Sequence, residues 1–328
     1  MRAAEHEVAG WAEAVETYFE RGWTDGLPVV PATAGAVQAF LEAAGRKADD
    51  IVLREATRRR TITAEKVAIN AVMAGCRPEY MPVLLTALEA MADPAFTLHG
   101  AITSTGGSAT LVVVNGPIRK RLGLNAGGNV FGPGWRANAT IGRAVRLVWA
   151  NVGGAVPGEI SMSTFAQSGR FTYCIGEREE DSPWEPLHVE HGCAAGDSTV
   201  ALLAAEAPQV VVDARSRTAA DLLTTVARSG EAIASTTVGG LGDTLLVIAP
   251  EHATTIAGEG WSKGDVREFL WERMRVSVDG IAVPKFRTPA NLKIVVAGGS
   301  AGRFSAWVPG WPFRDSPSSL VIKRIALP

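Results

Sequence analysis

The residues best suited by type and spacing to do chemistry lie in a glycine-rich stretch over positions 125–143, which reads NAGGNVFGPGWRANATIGR. Glycine lets backbone N–H groups converge on one point, and the N-terminus of the following helix adds a positive dipole end. Arg136 and Arg143 could each grip a carboxylate or phosphate through two N–H groups. The stretch therefore predicts an anion-binding loop, with Asn138 as the N-cap of the helix. The substrate-binding residues expected there are Gly127, Gly128, Asn129, Gly132, Gly134, Trp135 (a wall of the pocket), Arg136, Asn138 and Arg143.

This stretch matches neither of the two common nucleotide-binding patterns. No Gly-Lys-Ser/Thr follows the glycines, and their spacing differs from the GxGxxG of dinucleotide sites. The ligand we expect is a small anionic molecule, and the sequence identifies no cofactor. The alternative interpretation is a structural loop that carries surface arginines.

A second candidate is the segment SPWEPLHVEHG over positions 182–192, which holds two histidines and two carboxylates. His188 could act as a general acid or base, oriented by Glu185 or Glu190. We expect an extended strand here, with His188 and Glu190 on one face and His191 on the other. A metal site would need three or four converging ligands, which one strand rarely supplies, so no metal ligands are assigned.

Two further residues complete the predicted catalytic set. Cys76 stands between one helix end and the Arg77-Pro78 start of the next, and both a helix N-terminus and an arginine lower a thiol pKa. It could therefore be a nucleophile, although a buried, inert cysteine is the commoner outcome. Asp25, in the loop GWTDGLP, is a plausible exposed acid.

The elements that must position these residues follow a repeated pattern. LLTALEAM, AITSTGGSATLVVVNGP and IGRAVRLVWANV have counterparts in LLTTVARS, AIASTTVGGLGDTLLVIAPEH and VREFLWERMRV. Each set reads as helix, strand, Gly-Gly turn, buried strand and helix, and the continuous apolar strands require cover on both faces. The prediction is an α/β fold with mixed sheets interleaved with helices and two pseudo-repeated units. We place the domains at residues 1–182 and 183–328, packed tightly on each other.

Composition excludes some classes of protein. With 328 residues, a net charge of −2 and a pI of about 6.3, the chain offers no broad basic surface for nucleic acid. No apolar run is long enough to span a bilayer, so we expect no membrane partner. Three cysteines without a CxxC pair are typical of a reducing cytoplasm. Nine tryptophans favour a homo-oligomer.

Four segments carry a resemblance to a known family. They are GWTDGLPVVP, TAEKVAINAVMAGCRPEYMPVLLTALEAM, GPGWRANATIGRAVRL and SPWEPLHVEHG. Together they resemble the UGSC-type (seleno)proteins, a poorly characterised bacterial family, over most of the chain. The resemblance implies a cytosolic bacterial protein without a known reaction. The Cys-Gly-Ser-Cys motif of that family is absent here, and Cys76 is the matching candidate for a thiol.

The residue types favour an enzyme that acts on a small, carboxylate-bearing molecule by hydrolysis or elimination. In this hypothesis the glycine loop holds the anion, His188 moves protons with Glu185 nearby, and Cys76 is nucleophile or pocket liner. One alternative is a thiol- or metal-dependent redox protein that uses Cys76 or His188 and His191. The other is a non-catalytic ligand-binding or assembly protein.

Overall fold

Continuous apolar strands and amphipathic helices alternate along the chain, as the sequence predicts. The structure is a computed structural model that describes residues 3–311 and 319–327. The α-helices are α1 (Trp11–Glu20), α2 (Ala34–Ala43), α3 (Ala64–Ala74), α4 (Met81–Met91), α5 (Leu98–Thr103), α6 (Ile118–Leu122), α7 (Arg136–Asn151), α8 (Leu187–Glu190), α9 (Ala219–Gly230), α10 (Pro250–Ala257) and α11 (Lys263–Arg273). The strands are β1 (Ile51–Glu55), β2 (Arg60–Thr63), β3 (Ala109–Asn115), β4 (Cys174–Gly176), β5 (Thr199–Ala205), β6 (Gln209–Val212), β7 (Thr244–Ile248), β8 (Arg275–Val278), β9 (Ile281–Pro284), β10 (Leu292–Val296), β11 (Phe304–Val308) and β12 (Val321–Arg324).

Two four-stranded sheets share one pairing pattern. The first has the order β12-β5-β3-β4 and the second the order β10-β7-β11-β6. In the first, β3 is parallel to β4 and antiparallel to β5, which is antiparallel to β12. In the second, β7 is parallel to β10 and antiparallel to β11, which is antiparallel to β6. The predicted α/β class with mixed sheets is confirmed, and the two units correspond strand by strand.

Each unit contributes its last strand to the sheet of the other. The chain leaves β5 in the first sheet and enters β6 in the second after three residues, 206–208. In the same way, β12 follows β11 along the chain but pairs with β5. The predicted boundary at residue 183 therefore runs through the first sheet, which takes β3 and β4 from one side of it and β5 and β12 from the other.

The two sheets pack face to face, and helices cover their outer faces. Alternate residues of β3 divide between the two sides, because successive side chains of a strand point in opposite directions. Leu111 and Val113 join the cluster between the sheets, whereas Val112 and Val114 join the core beneath α3, α4 and α7. On the second sheet, Leu246 packs in the core formed with α9, α10 and α11. The result is a four-layer arrangement of helices, sheet, sheet and helices.

The local signals read from the sequence are correct at two helix starts and wrong in two other segments. Thr33 caps α2 and Thr63 caps α3, each accepting a hydrogen bond from a backbone N–H three residues later. By contrast, the expected apolar face of α1 is largely exposed, since Trp11 is 64% exposed and Ala14 is the one residue of this helix classed as buried. The segment 161–173, expected to be β, contains an isolated bridge at Ser161 and a single 3-10 turn.

Within the described ranges, no single helix is long and apolar enough to cross a bilayer. One helix pair bent by 78°, over residues 78–91 and 94–103, has the required length and composition. The residues of α4 in that pair are buried in the core of the first unit, with the exception of Glu89.

Candidate functional site

The glycine-rich loop uses its conformational freedom less than the sequence suggests. Of the four glycines, only Gly134 has a positive φ, at 121°, whereas Asn129 adopts the left-handed region with φ of 61°. Gly132 is needed for space instead, because a Cβ there would lie 2.1 Å from Oδ1 of Asn129. The loop reaches the second unit, where the N–H of Gly298 donates to Ala126 O at 2.8 Å. These contacts are those of a structural connection between units.

Asn138 is not the N-cap of α7. The helix begins at Arg136, and Trp135 holds the cap position without a side-chain cap. Asn138 is buried, and its amide bonds both backbone groups of Asn125, accepting from N at 2.8 Å and donating to O at 2.9 Å. It also donates to Cys174 O on β4 at 3.1 Å. The Asn138 side chain therefore fixes the start of the loop to the first sheet. Trp135, expected to be a wall of the pocket, is 39% exposed.

The two loop arginines are already bonded to protein groups. Arg136 donates from Nε to Gly75 O at 2.9 Å and from Nη2 to Cys76 O at 3.3 Å, which satisfies carbonyls just past the end of α3. Arg143 makes a two-pronged ion pair with Asp25, at 2.8 and 2.7 Å. Asp25 is thus an anchor for the loop over positions 22–31 rather than an exposed acid. Arg143 is therefore neutralised by Asp25, whereas Arg136 is exposed and bonds only carbonyl groups among the described residues.

Cys76 has the opposite of the predicted acidity. The thiol is buried beside α7 and donates to Thr140 O at 3.2 Å. Burial raises its pKa to about 12, and this effect exceeds the lowering by the Thr140 hydrogen bond and by Arg136 and Arg143. The thiol is therefore protonated near neutral pH, and the expected activation by the helix end and arginine is wrong.

His188 and Glu185 do not form the predicted pair. The segment 187–190 is the one-turn helix α8, not an extended strand, because Pro186 at its start suits a helix entry. His188 is completely buried, whereas Glu185 is exposed. His191 is exposed and its ring bonds Leu187 O at 2.8 Å. Partial desolvation of the ring lowers its pKa.

The carboxyl ends of β3 and β4 hold a buried polar cluster that sequence reasoning missed. Glu177, completely buried, accepts at Oε2 from Asn115 Nδ2 at 2.6 Å and from Leu187 N at 2.8 Å. Its Oε1 lies 4.0 Å from Nζ of Lys263, which also bonds Glu190 at 2.8 Å. Burial raises the pKa of Glu177 more than Lys263 and the hydrogen bonds lower it. We call these five residues the Glu177 cluster.

Several atoms in and beside this cluster lack hydrogen-bond partners. In the part of the chain that the structure describes, the buried side-chain atoms without a partner are Asn115 Oδ1, Glu177 Oε1, Thr199 Oγ1 and both ring nitrogens of His188. Asn115 and Thr199 face each other across β3 and β5. Native proteins leave few buried polar atoms unpaired, so these atoms mark a place for water or for chemistry. An alignment of the two units would have revealed the Glu177 cluster, since Ala297 occupies the position of Glu177 in the second unit.

The large cavity lies elsewhere, on the outer side of the first unit. A groove of about 840 Å³ runs between α1, the start of α2, the β1–β2 turn and α3, and we call it the N-terminal groove. Trp23 lines it, with the Tyr18 ring edge-on at 5.7 Å and the Arg21 guanidinium over the indole at 5.0 Å. Asn151 on α7 donates to Asn70 at 2.8 Å and to Trp23 O at 3.0 Å, which ties this wall to the core.

Three cations line the N-terminal groove without counter-ions. Arg59, Arg60 and Lys66 are exposed, and none of their side chains forms an ion pair or hydrogen bond with a described residue. The groove also holds a carboxylate, because Glu65 is buried there and accepts from Ala3 N at 3.2 Å. In the sequence these arginines end a short basic run, Arg58-Arg-Arg60. The run indicates only that one of its arginines could reach an anion.

The structure thus divides the predicted site residues. Asp25, Cys76, Arg136 and Arg143 lie together around the first half of α7, whereas His188 and Glu185 flank the Glu177 cluster. No group of three or more His, Cys, Asp or Glu side chains among the described residues has the arrangement of a metal site. Comparisons with protein-family models, curated proteins and solved structures found no match to this chain.

Proposed function

We propose that the protein binds a small organic anion in the N-terminal groove. The observation that carries the proposal is that Arg59, Arg60 and Lys66 line a groove of about 840 Å³ without counter-ions among the described residues. Cations that no protein carboxylate neutralises attract an anionic group and can bond it directly. A carboxylate-bearing molecule, the substrate class predicted from the sequence, fits this chemistry.

The size and lining of the groove support a small organic ligand. Ligand pockets in proteins have volumes of about 300–1,000 Å³ and combine apolar or aromatic walls with a few polar groups. Here the walls include Tyr18, Trp23 and Ile69. The polar lining includes the three cations, the Asn70–Asn151 pair and the carboxylates of Glu5 and Glu65. An aromatic or aliphatic body against Trp23 with its anionic group toward Arg60 is the arrangement we propose.

The experiment uses the fluorescent sulfonate 8-anilinonaphthalene-1-sulfonate as the probe and benzoate and succinate as competitors. The double variant Arg60→Met, Lys66→Met should bind the probe about tenfold more weakly, because it loses two charged contacts while keeping the apolar walls. Arg121→Met, which removes an exposed cation on α6, is the matched control and should bind as the wild type does. Equal affinities of the double variant and the wild type would refute the groove as an anion site.

A second candidate function is hydrolysis or elimination, and the Glu177 cluster favours it. A buried carboxyl group with a raised pKa is a candidate general acid, and the His188 imidazole, whose two nitrogens lack described partners, is a candidate proton relay. The thiol-redox alternative has less support because the pKa of Cys76 is raised. The test is hydrolysis of a carboxylate ester by the wild type and by Glu177→Gln. Loss of turnover in the variant, with unchanged binding of the probe, would establish catalysis rather than simple binding.

Location and assembly are part of the proposal. We infer a bacterial cytoplasmic protein, as the resemblance to the UGSC-type family implies, and the three cysteines are free thiols. We infer a homo-oligomer because large apolar side chains are exposed, among them Trp11, Met162 and Phe165, the last at 95%. Light scattering on the purified protein measures its mass directly, and a monomer at micromolar concentration would refute the assembly.

A further inference from the structure

A second, smaller cavity lies inside the first unit and faces two arginines. Its volume is about 30 Å³, and it is bounded by α5, the start of β3, the middle of α7 and the turn at 168–170. Arg146 and Arg170 both line it, together with Ser108 and Thr110. It is distinct from the N-terminal groove, with which it shares no lining residue.

The guanidinium of Arg146 has few protein partners. Its one hydrogen bond to a described residue runs from Nη2 to Ala155 O at 3.0 Å. Arg170 is better satisfied, donating to Ser108 O at 2.9 Å and to Ser161 Oγ and Gly106 O. Arg146 therefore keeps N–H groups for another acceptor on the cavity side.

The charge around the cavity is positive. Within the described part of the chain, no carboxylate forms an ion pair with Arg146 or Arg170. Asp25, the acid that interacts with Arg146, is already held by Arg143 at 2.7 Å. Glu206 attracts Arg170 electrostatically but forms no ion pair with it. Two half-buried guanidinium groups thus line one cavity without a carboxylate of the described residues in ion-pair contact with either.

We propose that this cavity binds a single monatomic anion of the size of chloride between Arg146 and Arg170. A cavity must exceed about 10–15 Å³ to hold one water molecule, so 30 Å³ is enough for a single small ion. Two cationic donors and the Thr110 hydroxyl supply N–H and O–H groups to the ion, and the anion supplies the missing counter-charge.

The acidities of the two arginines agree with this proposal. Burial, followed by the repulsion from Arg170, lowers the pKa of Arg146 to about 10. Burial also lowers the pKa of Arg170. A bound anion raises the pKa of both arginines again, because an opposite charge close by favours the charged form. A neutral water molecule in the same cavity would leave the repulsion between the two groups in place.

The decisive experiment is diffraction from wild-type crystals grown in sodium bromide and recorded at the bromine absorption edge. We expect an anomalous peak in the cavity, in contact with both guanidinium groups. Featureless anomalous density there at saturating bromide, with water or empty space in the cavity, would overturn the proposal. This arm uses the unmodified chain, so it does not depend on whether a variant folds.

Thermal unfolding supplies the solution test at constant ionic strength. The melting temperature of the wild type should be higher in sodium chloride than in sodium gluconate, whose anion is too large to enter. Arg146→Met should lose this difference, and Thr110→Val should reduce it. Arg121→Met, the surface control, should retain it. Identical melting temperatures of the wild type in the two salts would contradict binding.

Discussion

The two units of the molecule have different residues at the ends of the same pair of parallel strands. In the first, the residues that follow the pairing of β3 with β4 are Asn115 and Glu177, both buried and polar. In the second, the equivalent residues after β7 and β10 are Ala249 and Ala297. The second unit shows that this fold does not require polar groups at its strand ends. The Glu177 cluster is therefore a specialisation of the first unit.

The final helices of the units make a second contrast. Arg143 on α7 pairs with Asp25, and Arg267 on α11 pairs with Glu190 at 2.8 Å. Both ion pairs are mostly buried, and each ties its helix to a segment outside the repeated strands. Only the Arg143 pair lies beside the loop that leads to Trp23 and the N-terminal groove. The same device therefore ties α7 to the loop beside the N-terminal groove in one unit and α11 to the Glu177 cluster in the other.

The largest expected effect tests whether the first unit depends on its polar strand ends. Glu177→Ala should lower the free energy of unfolding by about 2–4 kcal/mol, because it removes the buried acceptor of the hydrogen bonds from Asn115 Nδ2 and Leu187 N. Lys263 keeps its ion pair with Glu190. Urea denaturation measures the change. Ala297→Ser at the equivalent position of the second unit is the comparison, and its effect should be below about 1 kcal/mol.

A triple variant gives the strand ends of the first unit apolar residues, like those of the second unit. Asn115→Ala, Glu177→Ala and Lys263→Met together remove the buried polar groups as a set, so most of the stability lost in Glu177→Ala should return. If the triple variant is no more stable than the single one, the strand ends of the two units are not interchangeable and the comparison fails.

The two helix arginines are expected to differ in function rather than in stability. Arg143→Met and Arg267→Met should each lower the free energy of unfolding by about 1–3 kcal/mol, since each removes charge-assisted hydrogen bonds to a mostly buried carboxylate. Glu190 keeps its second partner, Lys263, in the Arg267 variant. Only Arg143→Met should also weaken binding of the sulfonate probe, by releasing the 25–28 loop. Equal probe affinities of the two variants would remove the distinction drawn between the helices.

The pH dependence of stability should isolate Glu177. Its pKa is raised in the folded protein, so it contributes stability below the ordinary glutamate pKa of about 4.3, and this is lost as pH rises toward the raised value. The unfolding free energy of the wild type relative to Glu177→Gln should therefore fall between pH 4 and neutrality. Glu268→Gln, at an exposed position on α11, should show no such trend, and a parallel trend would point to another group.

The smallest expected effect concerns the thiols of the first unit. With a pKa of about 12, only about one Cys76 side chain in ten thousand is ionised at pH 8, and burial blocks access as well. Iodoacetamide should therefore modify the half-buried Cys193 well before Cys76 or Cys174. Peptide mass spectrometry locates the label, and early modification of Cys76 would revive its role as nucleophile.

Local structure was the part of the fold that the sequence could predict. Thr33 and Thr63 act through backbone groups three residues away, and buried strands such as 244–248 are visible as apolar runs. The repeat was visible for the same reason. The exchange of β6 and β12 was not, because strand partners as distant in sequence as Val212 and Phe304, or Thr199 and Arg324, leave no local pattern.

The site was harder to predict, since residue types do not reveal their partners. Arg136 and Arg143 have the right chemistry for an anion, but carbonyls at 75 and 76 and the carboxylate of Asp25 already occupy them. The N-terminal groove is assembled from segments 3–37, 59–73 and 151–152, which no single motif connects. No sequence motif marks Glu177, and only its comparison with Ala297, the equivalent residue of the second unit, shows that it is unusual.

The exchange of strands makes each unit incomplete without the other. A fragment that ends before residue 321 leaves one edge of β5 unpaired, although every helix that covers that sheet is present. The unsatisfied N–H and C=O groups of such an edge invite association with other chains. Attempts to express either half alone should therefore yield aggregates.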